Sequence, residues 1–130
     1  MTEVEMKLRT KQFALRVMKL VGALPNTQEG RTIGNQLIRS GTSVGANYRA
    51  ACRARSTADF ISKLGIVEEE ADESGYWMEL IVEGDLMAES RVISLLGEAS
   101  ELVAIIVASR KSAARRSPIQ NQKSKIKNRN

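Results

Sequence analysis

Arginine side chains offer the clearest chemistry in this sequence. Residues 30–55 contain five arginines and no acidic residue. At about 100° per residue, a helix would carry Arg31, Arg39, Arg49 and Arg53 on one side. This arginine stripe would be about 30 Å long, given a rise of about 1.5 Å per residue. Such a stripe can follow the phosphate backbone of a nucleic acid.

An acidic partner within the protein is the alternative for the same stripe. Residues 56–101 have a net charge of −10, from twelve acidic and two basic side chains. The densest run of carboxylates is "EEEADE", from Glu68 to Glu73. A basic helix beside an acidic one is a common specificity device in bundles and oligomers. The sequence leaves both interpretations open.

Catalytic chemistry is not indicated. The chain has no histidine, which removes the usual general base, the Ser–His and Cys–His nucleophile pairs and the Glu-x-x-His metal sites of helical bundles. Cys52 is the single cysteine, and its place on the apolar side of a helix predicts an inert thiol. No glycine-rich phosphate-binding motif occurs. We therefore expect no enzymatic activity, no cofactor and no metal.

Four amphipathic segments must position these side chains. Apolar residues at helical spacing predict helices over about 3–22, 27–55, 56–83 and 88–113, with Ser56 as the cap of the third. Short loops between them favour an all-α, antiparallel up-and-down four-helix bundle over residues 1–112. Residues 113–130 hold six basic residues, one proline and no acidic residue. They are predicted to form a disordered basic tail.

Self-association is predicted from surfaces that one bundle does not need. The fourth segment is apolar over more than half of its circumference, whereas a bundle core uses a narrower stripe. A fourth helix that lies buried at the centre is the alternative to self-association. An outward tryptophan on the third segment resembles an interface anchor. Two glycines four residues apart in the second segment permit close approach of another helix, either inside the bundle or from a second copy. The predicted interface residues are Leu95, Leu102, Ile105, Ile66, Trp77, Gly41 and Gly45.

One stretch carries a family resemblance. The sequence "IRSGTSVGANYRAACRARSTADF", from Ile38 to Phe60, resembles the four-helix-bundle family of 23S rRNA intervening-sequence proteins, also called the S23 ribosomal protein family. Its pattern is S-x-x-S-[IV]-x-x-N, a short basic stretch and S-x-x-[DE]-F. The chain departs from the pattern after Asn47, where the family commonly has N-[IV]-[AV]-E-G and this sequence has "NYRAA". The accessory variability protein of diversity-generating retroelements resembles the same family.

The resemblance implies a four-helix protomer without catalytic residues, which forms a ring-like homo-oligomer, with a pentamer expected. It also implies a role in binding structured RNA or an RNA–protein complex. Together with the residues, it predicts a non-enzymatic, homo-oligomeric nucleic-acid-binding protein, with RNA preferred over DNA. The alternative is an assembly or adaptor module that binds protein alone. The predicted nucleic-acid-binding residues are Arg31, Arg39, Arg49, Arg53, Arg55, Arg115 and Arg116.

The sequence also bears on location. No apolar run reaches the roughly 18 residues that a membrane span needs, and the beginning of the chain, "MTEVEMKLRTK", lacks the apolar core of a signal peptide. We therefore expect a cytoplasmic protein with no membrane partner.

Overall fold

The computed structural model describes residues 1–116. It contains four α-helices and, between the third and the fourth, a short 3₁₀ helix at Glu89–Arg91. The helices are α1 (Glu3–Gly22), α2 (Gln28–Cys52), α3 (Thr57–Glu83) and α4 (Ile93–Arg116). No strand occurs within the described part of the chain. The predicted all-α, up-and-down four-helix bundle is confirmed.

The helix starts follow from their capping residues. The hydroxyl of Thr2 accepts a hydrogen bond from the Glu5 amide, and the Glu5 carboxylate accepts one from the Thr2 amide, each at 3.1 Å. This reciprocal pair is a capping box, which satisfies two backbone donors that a helix leaves unpaired. Thr27 accepts from the Gly30 amide at 3.1 Å, and Ser56 from the Asp59 amide at 3.0 Å. Ser56 therefore caps α3, as its sequence position predicted.

Two predicted boundaries differ from the structure. Helix α2 ends at Cys52 rather than at Arg55, because the chain must become extended at Ser56 for that residue to cap α3. Helix α4 begins at Ile93 rather than near Ala88, because Ala88 is extended and the 3₁₀ turn follows it.

The C-terminal end of α4 also departs from the prediction. The helix continues through residues 113–116, which the sequence assigned to the disordered tail. Ala and Arg have high helix propensity, and basic residues are favourable near a helix C-terminus. The remainder of the predicted tail, residues 117–130, lies outside the described residues.

The helices pack in chain order around one core. The α1–α2, α2–α3 and α3–α4 contacts are extensive, and a smaller α1–α4 contact closes the bundle. Helices α1 and α3 therefore lie at opposite corners. Fully buried side chains from all four helices fill the centre, among them Phe13, Leu37, Leu64, Met78 and Leu102.

Candidate nucleic-acid interface

Arg39, at the middle of the predicted stripe, is bound by carboxylates of the neighbouring helix. Its guanidinium donates to Glu70 at 3.2 Å and also to Glu73. Glu73 accepts a further hydrogen bond from the indole of Trp77 at 3.1 Å. The hydrogen bond to Glu73 is the main cause of a raised pKa at Arg39. For this residue the acidic-partner interpretation is correct within a single protomer.

Arg31 lies near the N-terminal end of α2, away from Arg49 and Arg53. It is exposed, and one guanidinium nitrogen donates to the side-chain oxygen of Asn26 at 3.0 Å. Eighteen residues of helix separate it from Arg49, which corresponds to about 27 Å. The arginines of the predicted stripe therefore have different surroundings along the helix.

The arginines at the C-terminal end of α2 have no carboxylate partner among residues 1–116. Arg49, Arg53 and Arg55 are exposed, and none makes a side-chain hydrogen bond or ion pair within that range. Exposed guanidinium groups without a carboxylate remain available to an external anion, which they can bind through two parallel hydrogen bonds.

The end of α4 brings two further arginines to the same end of the bundle. Arg116 and Arg55 line one groove of about 380 Å³, beside Ser56 and Thr57. The Nε groups of Arg115 and Arg116 donate to main-chain oxygens one turn earlier, each at 3.3 Å, so their remaining nitrogens face solvent. We call the set Arg49, Arg53, Arg55, Arg115 and Arg116 the basic end.

Positive charge also extends from the basic end onto α1. A groove of about 390 Å³ between α1 and α2 is lined by Lys7, Lys11 and Arg49 and by no acidic side chain. Lys7 pairs with Glu3 at 3.2 Å one turn earlier, whereas Lys11 has no ion-pair partner in the described residues. This groove could not be predicted from the sequence, because the lysines and Arg49 lie on different helices.

Cys52 lies beside these arginines and shows no sign of reactivity. It is half-buried against the core. Burial raises the pKa of its thiol. A nucleophilic cysteine needs a lowered pKa, which is opposite to the shift at Cys52.

Most of the residues assigned to an oligomer interface lie inside the protomer. Leu95 and Leu102 are only 5% and 0% exposed, because the wide apolar face of α4 packs on its own bundle. This corrects their assignment as outer residues. Ile105 and Trp77 are partly buried against the core, and Ile66 is exposed.

The two glycines pack inside the bundle, which was one of their two predicted roles, and this corrects their assignment to the oligomer interface. A Cβ atom at Gly41 would lie 2.7 Å from a methyl group of Val17, and one at Gly45 would lie 3.2 Å from the hydroxyl of Thr10. The close approach that they permit is confirmed, but it joins α2 to α1 of the same chain. Neither glycine is open to a second copy.

A different apolar surface lies on the outside of α1. Val4, Leu8, Leu15 and Met18 are 76%, 55%, 56% and 49% exposed. They are spaced by four, seven and three residues, which places them on one face of the helix. Their spacing forms a second apolar stripe on the opposite side of α1 from Met6 and Phe13.

Comparison with known proteins agrees with this fold. A solved structure of a protein with unknown function from the S23 ribosomal protein family of Bacteroides thetaiotaomicron VPI-5482 superposes with a TM-score of 0.79 at 35% identity. The alignment covers 85% of this chain and 99% of that one. No curated protein matches the chain.

The family model gives the assignment. The model described as 23S rRNA-intervening sequence protein matches residues 2–108, which span all of α1, α2 and α3 and most of α4. None of the helices in the described part of the chain is long and apolar enough to cross a membrane. The family resemblance seen in the sequence is thus confirmed, and the chain belongs to the 23S rRNA-intervening sequence protein family.

Proposed function

We propose that this protein is a non-enzymatic, homo-oligomeric RNA-binding protein that contacts RNA through its basic end. The observation that carries the proposal is the exposure of Arg49, Arg53 and Arg55 without a carboxylate partner in the described residues. Arg55 and Arg116 share one groove, so the α2–α3 loop and α4 contribute to one positive surface. The family description, which names an rRNA intervening sequence, supports RNA over DNA.

The mechanism is electrostatic and depends on repetition. Each guanidinium that replaces counterions along a phosphate backbone contributes to affinity without reading the sequence. One basic end offers few such contacts. An oligomer presents several copies to one folded RNA, and the second and later contacts are then intramolecular, which raises the overall affinity. Arg39 contributes little in this scheme, because Glu70 and Glu73 already neutralise it.

A double charge reversal tests the site. The variant Arg53→Glu with Arg55→Glu changes the basic end, and Arg31→Glu with Arg91→Glu makes the same change in net charge with two exposed arginines at the other end of the bundle. The probes are a fluorescent RNA hairpin and single-stranded RNA and DNA of matched length. Fluorescence anisotropy is measured across salt concentrations, and light scattering on the same samples reports the assembly.

We expect the basic-end variant to lose most of its RNA affinity while the oligomer persists. Its salt dependence should flatten by roughly 1.5 in the slope of log affinity against log salt, if both arginines contact phosphate. The opposite-end variant should keep the RNA affinity and the salt dependence of the wild type. Equal affinities in the two variants would refute the basic end as the RNA site.

An adaptor that binds only protein is the second candidate. Its supporting observation is the row of exposed apolar side chains on α1, since such rows mark protein contacts more often than nucleic-acid contacts. Absence of salt-dependent binding to any of the three probes by the intact wild-type oligomer would favour this candidate.

A further inference from the structure

The outer face of α1 combines apolar side chains with positive charge. Val4, Leu8, Leu15 and Met18 form a row about 21 Å long, and the exposed Lys11 and Lys19 lie along it. Residues 6–22 contain five basic side chains and no acidic one. Neither Lys11 nor Lys19 has an ion-pair partner within residues 1–116. We call this surface the α1 face.

The outer face of α3 has the opposite charge. Tyr76 is 52% exposed, and four exposed acidic side chains lie on the same side of the helix, since they fall within about 80° of one another at 100° per residue. They are Glu69, Asp72, Glu79 and Glu83. None of the four makes an ion pair among the described residues. We call this surface the α3 face.

A shallow groove adjoins the α3 face. It has a volume of about 210 Å³, lies between α3 and α4, and is lined by Asp72, Tyr76 and Glu79 and by no basic side chain. Leu96 and Val103 contribute its apolar floor. The α3 side of the protomer therefore offers apolar surface bordered by negative charge, whereas the α1 side offers apolar surface bordered by positive charge.

We infer that the α1 face of one copy packs on the α3 face of a second copy. The two faces match in charge, and each carries apolar area that the protomer leaves exposed. When copies associate in this way, a single type of interface buries the α1 face of one copy and the α3 face of the next. RNA would cover the α1 face but not the α3 face, whose carboxylates repel phosphate. Complementary charge of this kind fixes the partner and the register of an interface.

The bundle geometry determines the symmetry of this contact. Because α1 and α3 lie at opposite corners, their outer faces point away from each other. One copy cannot present both faces to the same patch of its neighbour, so the contact is heterologous. Repeated head to tail, a heterologous contact makes a ring where the rotation closes. This inference rests on the homo-oligomer of the proposed function and assigns its surfaces.

Charge reversal on each face, followed by mixing, tests the pairing. The first variant is Lys11→Glu with Lys19→Glu, which makes both faces of a copy acidic. The second is Asp72→Lys, Glu79→Lys and Glu83→Lys, which leaves Glu69 as the one carboxylate of the α3 face and makes both faces basic. We expect each variant alone to dissociate at a concentration at least tenfold above that of wild type. An equal mixture should reassociate, because each altered face then meets its complement on the other variant.

Two further variants keep the test decisive. Leu8→Asp with Leu15→Asp changes exposed side chains, so it should stay helical by circular dichroism and become monomeric. The single substitution Arg31→Glu is the control, because Arg31 hydrogen-bonds to Asn26 and belongs to neither face, so it should leave the mass unchanged. Arg91 is kept, because it lines one groove with Lys19 of the α1 face. Size-exclusion chromatography with light scattering gives the mass of every sample.

The outcomes separate this inference from the proposed function. A monomeric wild type would overturn the homo-oligomer itself. An oligomeric wild type whose mass survives all the α1 and α3 substitutions would overturn the inferred faces and leave the oligomer standing. A monomeric Leu8/Leu15 variant, together with charge variants that do not reassociate on mixing, would overturn the pairing of α1 with α3. RNA affinity is measured separately, through the basic end.

Discussion

Helix α1 contacts its two neighbours in contrasting ways. Against α2 the contact depends on shape, since Gly41 and Gly45 allow Val17 and Thr10 to approach the α2 backbone. Against α4 the contact is smaller and strongly polar, with the Arg9 guanidinium donating two hydrogen bonds of 2.7 Å to the Glu98 carboxylate. The same helix therefore has one neighbour fixed by close packing and another joined largely by charge.

The contrast shows how the two contacts should respond to change. A close-packed contact cannot accept added volume, because the neighbouring side chains have nowhere to move. A charged contact tolerates changes in shape but depends on the protonation state of its groups. Substitutions along α1 and its partners can measure each contact separately.

The largest effect is expected where a methyl group is added to the glycine contact. Gly41→Ala and Gly97→Ala both remove a helical glycine, which favours the helix by about 1 kcal/mol. A Cβ at Gly97 meets nothing within 4 Å, whereas one at Gly41 meets Val17 at 2.7 Å. Overpacking costs about 1–3 kcal/mol, so Gly41→Ala should be less stable than Gly97→Ala by that amount.

Chemical denaturation of both variants, at concentrations where light scattering shows the same oligomeric state, measures this difference. Equal unfolding free energies would show that α1 moves away from α2 without cost. In that case the close-packed description of the α1–α2 contact would be wrong.

A smaller loss is expected from the polar contact between α1 and α4. The Glu98 side chain is 14% exposed and that of Glu101 is 68% exposed, although both bind Arg9. Glu98→Gln removes a largely desolvated charge pair and should cost about 1–2 kcal/mol. Glu101→Gln is the matched control, because exposed pairs contribute about 0–1 kcal/mol. If the two variants unfold alike, burial does not strengthen the Glu98 pair.

The pH dependence should carry the signature of the same pair. The hydrogen bond from Arg9 lowers the pKa of Glu98 below its ordinary value. A lowered pKa means that the stabilisation is complete above the pKa of the unfolded chain, near 4–4.5, and is lost as the pH falls through the folded value. The stability difference between wild type and Glu98→Gln should be constant at neutral pH and should shrink below about pH 4. A difference that does not change with pH would assign the effect to packing.

The helices and their caps were readable from the sequence because each depends on local spacing. The interval between Met6 and Phe13, or the position of Ser56 before Asp59, lies within one or two turns of a helix. Such signals need no knowledge of the rest of the fold. The bounds of α1 were therefore predicted correctly, and so was the end of α3 at Glu83.

The surroundings of the arginines were not readable, because they join distant parts of the chain. Arg39 and its partners Glu70 and Glu73 are separated by more than thirty residues, and Arg9 and Glu98 by eighty-nine. Helix spacing places Arg39 and Arg49 on one face, but it cannot show which of them meets a carboxylate on the next helix. The sequence therefore predicted a site along the whole arginine stripe, whereas the structure leaves the basic end as the candidate site.

The assignment of α4 residues to an oligomer interface was wrong for a related reason. The width of the apolar surface on α4 was real, but spacing alone does not show how much of it the chain's own helices cover. Leu95 and Leu102 are buried by their own bundle. On α1 two apolar rows were present, and only the packing of all four helices decides that Phe13 lies inside and Leu15 outside.

The smallest effect should come from the exposed end of the α1–α4 contact. Arg16 donates one hydrogen bond of 3.0 Å to the hydroxyl of Ser94, and both side chains are exposed. Ser94→Ala removes the acceptor at little cost elsewhere, so its unfolding free energy should stay within about 0.5 kcal/mol of wild type. Denaturation beside Glu98→Gln under the same conditions gives the comparison. A loss at Ser94 as large as that at Glu98 would mean that the charged contact acts as one cooperative network along α1. The difference between the α1–α2 and α1–α4 contacts would then come from all the residues along each contact, and not from the Arg9–Glu98 pair alone.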